Sequence, residues 1–150
     1  MSGKTKITFK IKGADEIFKN LRLLPDALRE RVIWPATIEA ADLVKEFAKE
    51  NAILSVDRLT TRNYIPDNIE IAQDTKLGRE MKAAIVHIGV KRRRSSSEGG
   101  GRTFYWWFVE LGTSKTRANP FLRPAIENNQ ARILKEFLSK ANYEMSKLRF

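Results

Sequence analysis

Across residues 26–52 the apolar side chains Leu28, Val32, Ala36, Ala40, Leu43, Val44, Phe47 and Ala48 recur at helical spacing. That period commits the stretch to a long helix with one packing stripe. The alanines in the stripe suit close approach to another surface. Pro35 falls inside the pattern; it offers no amide donor and its ring meets the preceding turn. The spacing therefore predicts either a kink at Pro35 or a split, with Pro35 in the first turn of the longer piece.

The remaining elements are read from period and punctuation. Residues 6–12 alternate Ile7, Phe9 and Ile11 with Lys6, Thr8, Lys10 and Lys12, the pattern of a strand with one wet face. Asp15 is placed as the N-cap of a short helix to about Leu24, with Ile17, Phe18, Leu21 and Leu24 inward. Residues 55–68 read as a long loop with room for a short helical turn, and Pro66-Asp67 marks a turn. Residues 68–72 form a strand with Ile69 and Ile71 on one face. A polar connection around Gly78 follows. Residues 83–90 read as a central strand, since Ala84, Val86, Ile88 and Val90 share one face and Ala83, Ile85 and His87 the other. The run Thr103-Phe104-Tyr105-Trp106-Trp107-Phe108-Val109-Glu110-Leu111 has the strongest strand composition in the chain. The last helix is expected over about 124–145, carrying Ile126, Ile133, Leu134, Phe137, Leu138 and Ala141 inward.

These elements predict one α+β domain over residues 1–150. A small antiparallel or mixed sheet carries the long N-terminal-half helix and the C-terminal helix. Strands 83–90 and 103–111 make a long basic β-hairpin whose Ser/Gly-rich tip, residues 91–102, is expected to be mobile. A hairpin connection of that length points to added function.

Composition narrows the classes of partner. Lys and Arg total 28 against 18 Asp and Glu, a formal net charge of +10. The excess favours nucleic acid, acidic headgroups or acidic protein surfaces. At 150 residues the chain suits one domain, and an apolar fraction of 42% is too high for full disorder. No apolar run approaches the roughly 20 residues that span a bilayer, so no membrane partner is expected. The N-terminal stretch has no hydrophobic signal core, and secretion is not expected. Without cysteine there is neither a disulfide nor a thiolate metal site.

Catalytic patterns are weak. His87 is the single histidine and has no carboxylate close in sequence; it reads as a partly buried sheet residue. Gly99-Gly100-Gly101 lacks the Lys-Ser/Thr ending and following helix of a phosphate loop. Carboxylate spacing for a metal site is absent. No enzyme activity, no cofactor and no metal are expected, and Glu110 is read as a hydrogen-bond or ion-pair anchor.

Two features carry functional weight. Lys91, Arg92, Arg93 and Arg94 are adjacent cations that repel one another. They read as a solvated tip, as a phosphate-backbone contact, or as a contact to an acidic protein surface; no helix-turn-helix or zinc module frames them for base readout. In a strand, Phe104, Trp106 and Phe108 would face one way and Tyr105, Trp107 and Val109 the other. Two aromatic faces fit core alone, core plus a subunit interface, or a stacking platform for bases.

The stretch from Trp106 through Glu110, Leu111, Gly112 and Thr113, followed by Asn119-Pro120-Phe121-Leu122-Arg123-Pro124-Ala125, resembles the signature of the HK97 gp10-like family of bacteriophage tail-completion and neck proteins. Glu110, Gly112, Thr113, Pro120, Phe121, Leu122, Arg123, Pro124 and Ala125 match it. The Lys-rich first strand, the Gly13 turn and the Ala-rich helix also resemble the family's N-terminal half. The chain departs from the pattern after that helix, where Ile53-Leu54-Ser55-Val56-Asp57 replaces the usual Thr-Gly segment. The resemblance implies a non-enzymatic virion component of the head–tail junction, assembled in the host cytoplasm. It implies a ring of copies, six-fold by family analogy, joining a tail to a DNA-filled head. The implied partners are a connector or head-closure protein and a tail-terminator protein, with nonspecific DNA contact left open.

The matched residues have a compatible physical reading. Gly112 permits a turn with positive φ at the strand end, and Thr113 and Ser114 are suited to bond local turn amides. Pro120 and Pro124 restrict the backbone around Phe121-Leu122-Arg123. Arg123 is expected to pair with Glu110. The rival function is a basic module binding nucleic acid nonspecifically through Lys91 to Arg94, with exposed aromatics as its platform.

Overall fold

A computed structural model describes residues 12–55, 64–91, 103 and 105–148. Residues 6–11 of the strand read over 6–12 lie outside the described residues, as do residues 92–102 of the hairpin tip, with Arg92, Arg93 and Arg94, and Phe104; Lys12 lies in the turn before the first helix.

Helix α1, Ala14–Leu23, starts after Gly13, which takes the cap position expected for Asp15; Asp15 sits in the first turn, where its charge suits the helix dipole. Pro25 separates α1 from α2, Asp26–Ser55. Arg29 holds this corner. Its guanidinium donates to the α1 carbonyls of Leu21 and Arg22 (3.1 and 3.3 Å) and to Leu24 O (2.9 Å), and pairs with Asp26 at 3.1 Å. These are the carbonyls that a helix C-terminus leaves without intrahelical partners.

Helix α2 runs unsplit through Pro35. Its buried positions are Val32, Ala36, Ala40, Ala41, Val44, Ala48 and Ala52. Steps of four residues overshoot a 3.6-residue turn by about 40° each, so the buried face rotates along the helix. At the N-terminal end Val32 and Ala36 pack with Leu21 and with Ala141 of the C-terminal helix. Toward the C-terminal end Val44, Ala48 and Ala52 pack with Ile65, Ile69, Val90, Phe121 and Ala125. One helix thus joins both halves of the core.

A short turn, α3 (Tyr64–Asp67), leads into strand β1, Ile69–Gln73. β1 pairs antiparallel with β2, Val86–Val90, in the register Ile69↔Val90, Ile71↔Ile88 and Gln73↔Val86. Ile69 and Val90 face the core, as the alternation predicted. Among the described residues β2 pairs with β1 alone. His87, expected to be partly buried, is exposed. The polar connection contains a helix, α4 (Thr75–Met81), capped by Asp74, whose carboxylate accepts from the Leu77 amide at 2.9 Å. Gly78 lets α4 dock: a Cβ there would lie 2.7 Å from Ala83 O and 3.2 Å from the Trp34 ring.

The hairpin is the main correction. Residues 106–111 are not its second strand but a helix, α5 (Trp106–Leu111). The terminal helix is also divided, into α6 (Leu122–Glu127) and α7 (Gln130–Lys147), with a break at Asn128-Asn129. The result is α+β: among the described residues, helices pack about α2 with a two-stranded antiparallel sheet on one flank.

Candidate assembly interface

The motif residues form a clasp between α5 and α6. Gly112 ends α5 with φ 75°, and its amide bonds Phe108 O at 3.0 Å. A Cβ at this position would stand 2.7 Å from Ala118 N, so both the dihedral and the space require glycine. Thr113 organises the turn. Its hydroxyl accepts from the amides of Lys115 and Thr116 (3.2 and 3.0 Å), and its own amide donates to Thr116 O at 2.8 Å. The Asn119 amide then donates to Val109 O at 2.8 Å, folding the turn back on α5.

Glu110 closes the clasp. Its Oε2 accepts from the amides of Phe121 and Leu122 (2.7 and 3.0 Å), and its Oε1 from that of Arg123 (3.0 Å). A helix start leaves its first amides without intrahelical acceptors, and a carboxylate there also meets the positive end of the dipole. The next residue is Pro124, which has no amide to satisfy. The side-chain ion pair expected between Glu110 and Arg123 is therefore replaced by a bond to the Arg123 backbone. The Arg123 side chain is exposed and makes no ion pair among the described residues.

Phe121 follows Pro120 into the core and is fully buried. Trp106 meets it edge-on at 6.5 Å and stacks on Trp107 at 4.6 Å with a 23° interplanar angle. The division of aromatics expected for a strand does not hold. In α5, Trp106 and Val109 pack against the core cluster, as does Tyr105 just before the helix. Trp107, Phe108 and Leu111 are left 43%, 53% and 65% exposed. Positions i, i+1 and i+4 share a helix face, so these three form one outward apolar surface.

The structure brings Glu110, Gly112, Thr113, Pro120, Phe121, Leu122, Arg123 and Pro124 together in this clasp. Of the basic cluster only Lys91 lies among the described residues. Its side chain is exposed; its amide donates to Asn68 O at 2.8 Å, and its carbonyl accepts from the buried Thr103 hydroxyl. Of the two anchor roles read for Glu110, the structure shows the hydrogen-bond one, with the backbone amides of residues 121–123 as its partners. The sequence reading missed Asp74, which accepts from Leu77 and lies 3.1 Å from His87 Nε2. These contacts, the Leu77 amide first and His87 second, lower the Asp74 pKa from 3.8. The sequence signal for the Glu110 clasp is a glutamate 12 residues before the start of α6, whose first turn holds Pro124.

A cleft of about 640 Å³ lies between α2 and α4, lined by Arg29, Trp34, Arg79, Lys82 and their neighbours. Arg29 is held by the α1 carbonyls, and His87 is not in the lining. Among the described residues no group of three or more His, Asp or Glu could hold a metal ion, and no helix is long and apolar enough to cross a membrane. Comparison with protein-family models, with curated proteins and with solved structures finds no match to this chain.

Proposed function

We propose that this chain is a non-enzymatic structural subunit that closes into a ring at the head–tail junction of a long-tailed bacteriophage. The observation that carries the reading is the apolar face of Trp107, Phe108 and Leu111. It sits on a helix whose end is locked by the Glu110–Gly112–Thr113 clasp. A six-residue helix has little stability of its own. Fixing it through three amide bonds and a core phenylalanine presents large aromatic side chains with little freedom to lose on docking. That suits an interface.

The residues of the clasp are also those through which the sequence resembles the tail-completion family. In that setting the subunit assembles with copies of itself, six by analogy, between a connector or head-closure protein and a tail-terminator protein. Its work is assembly in the host cytoplasm followed by a permanent place in the virion. With a net charge of +10, contact with the exiting DNA would be electrostatic and independent of sequence.

Electron microscopy of particles made with and without the chain tests the reading. The expected result is a ring of density at the junction that disappears, with loss of joined tails, when the chain is withheld. Particles that keep that density, or join tails normally without the chain, overturn it.

A further inference from the structure

The described surface carries two patches that a single copy cannot bring together. The first adjoins the apolar face of α5. Lys115 and Arg117 project from the turn after α5, and Arg123 from the start of α6; all three are exposed and make no ion pair among the described residues. The acid of the same motif, Glu110, is occupied by backbone amides. The Asn119–Val109 bond holds this basic turn against α5, beside Trp107, Phe108 and Leu111.

The second patch runs along α2. Glu39, Asp42, Glu46 and Glu50 are all exposed, and Ile53 continues the row at 41% exposure. Their spacings of three and four residues keep them on one helix face. At 3.6 residues per turn that face lies opposite Val44, Ala48 and Ala52. Those three share a core cluster with Phe121 and Ala125, so the clasp lies on one side of α2 and the acidic stripe on the other. Only Glu46 has an ion-pair partner among the described residues, Lys49 at 3.4 Å, an exposed i,i+3 pair of little energetic weight.

We infer that the acidic stripe of one copy docks on the basic turn and apolar α5 face of the next. Ile53 would meet the aromatic face while the four acids meet Lys115, Arg117 and Arg123. Such a contact joins two different patches, and repeated about an axis it closes a ring. Complementary charge sets the register, and the apolar centre supplies the burial. This rests on the ring reading proposed above and names the surfaces that make it.

Sedimentation velocity on the full chain tests both. Three variants are compared with the natural chain: Lys115→Glu with Arg117→Glu, Asp42→Lys with Glu46→Lys, and all four changes together. Circular dichroism checks that each remains folded. The natural chain is expected to form rings. Each reversal alone should raise the dissociation constant at least tenfold, and the fourfold swap should restore association. Rescue is a readout that mere unfolding cannot produce. Rings that ignore the reversals, or a swap that fails to rescue, overturn this inference and leave the ring reading standing. A natural chain that stays monomeric up to millimolar concentration overturns both.

Discussion

Glu110 Oε2 stands 2.7 Å from the amide nitrogen of Phe121, and the same carboxylate takes the next two amides as well. The side chain at the end of one helix thus completes the start of another. Glu110→Ala is expected to cost about 2 kcal/mol, because charge-assisted caps are worth more than neutral ones. Arg123→Ala should change stability by less than about 0.5 kcal/mol, the usual range for an exposed site. Urea unfolding of the two variants separates backbone capping from a side-chain ion pair, which would make their losses similar.

Gly112→Ala should destabilise by about 1–3 kcal/mol, since its φ of 75° and the 2.7 Å approach of Ala118 N both reject a side chain. Thermal unfolding followed by circular dichroism gives the loss. An unchanged midpoint would mean that the turn can re-form another way.

The stacked tryptophans divide stability from association. Trp106 packs on the core and against Phe121, so Trp106→Ala should cost about 3 kcal/mol. Trp107 is exposed, and Trp107→Ala should stay within about 1 kcal/mol while weakening self-association tenfold or more. Denaturation and sedimentation on the same samples read the two effects. Equal stability losses would contradict the placement of the two rings.

Acid should loosen α4. The folded-state pKa of Asp74 lies below its ordinary 3.8, lowered first by the Leu77 amide and then by His87. A depressed carboxylate pKa contributes stability that is complete above the unfolded value and is lost as pH falls through the folded value. Hydrogen-exchange protection at the Leu77 amide should therefore drop below about pH 4 in the natural chain. It should not follow that course in Asp74→Asn, which retains a neutral cap. Parallel profiles for the two proteins would remove the charge from the account.

Arg29→Lys should cost about 1–2 kcal/mol despite keeping the charge. A lysine cannot reach several carbonyls and Asp26 with one planar fork. Urea unfolding with Arg29→Ala alongside checks it; a lysine variant as stable as the natural chain would show that charge alone holds the corner.

The helical period made α2 legible from its apolar spacing, and alternation located the core face of β1 and β2. The aromatic run was misread because almost every position in residues 103–111 is apolar, which leaves no period to choose between strand and helix. Strand propensity then prevails locally, although tertiary packing decides. Here the decision comes from Gly112, Phe121 and Glu110, all outside or at the edge of the run. α4 was missed because Thr75–Met81 has almost no apolar stripe; its helix depends on the Asp74 cap and on Gly78 docking under Trp34. Glu110 was legible as an anchor, but its partners lay beyond sequence reading for another reason. Charge pairs are visible as residue types, whereas a run of backbone amides is visible only once the chain has turned.

The bond from the buried Thr103 hydroxyl to the Lys91 carbonyl pins two points of the chain beside the end of β2. The hydroxyl thus ties the strand's exit to a residue well beyond it in sequence. Thr103→Val keeps the shape and removes that tie, leaving the Lys91 carbonyl short of its side-chain partner.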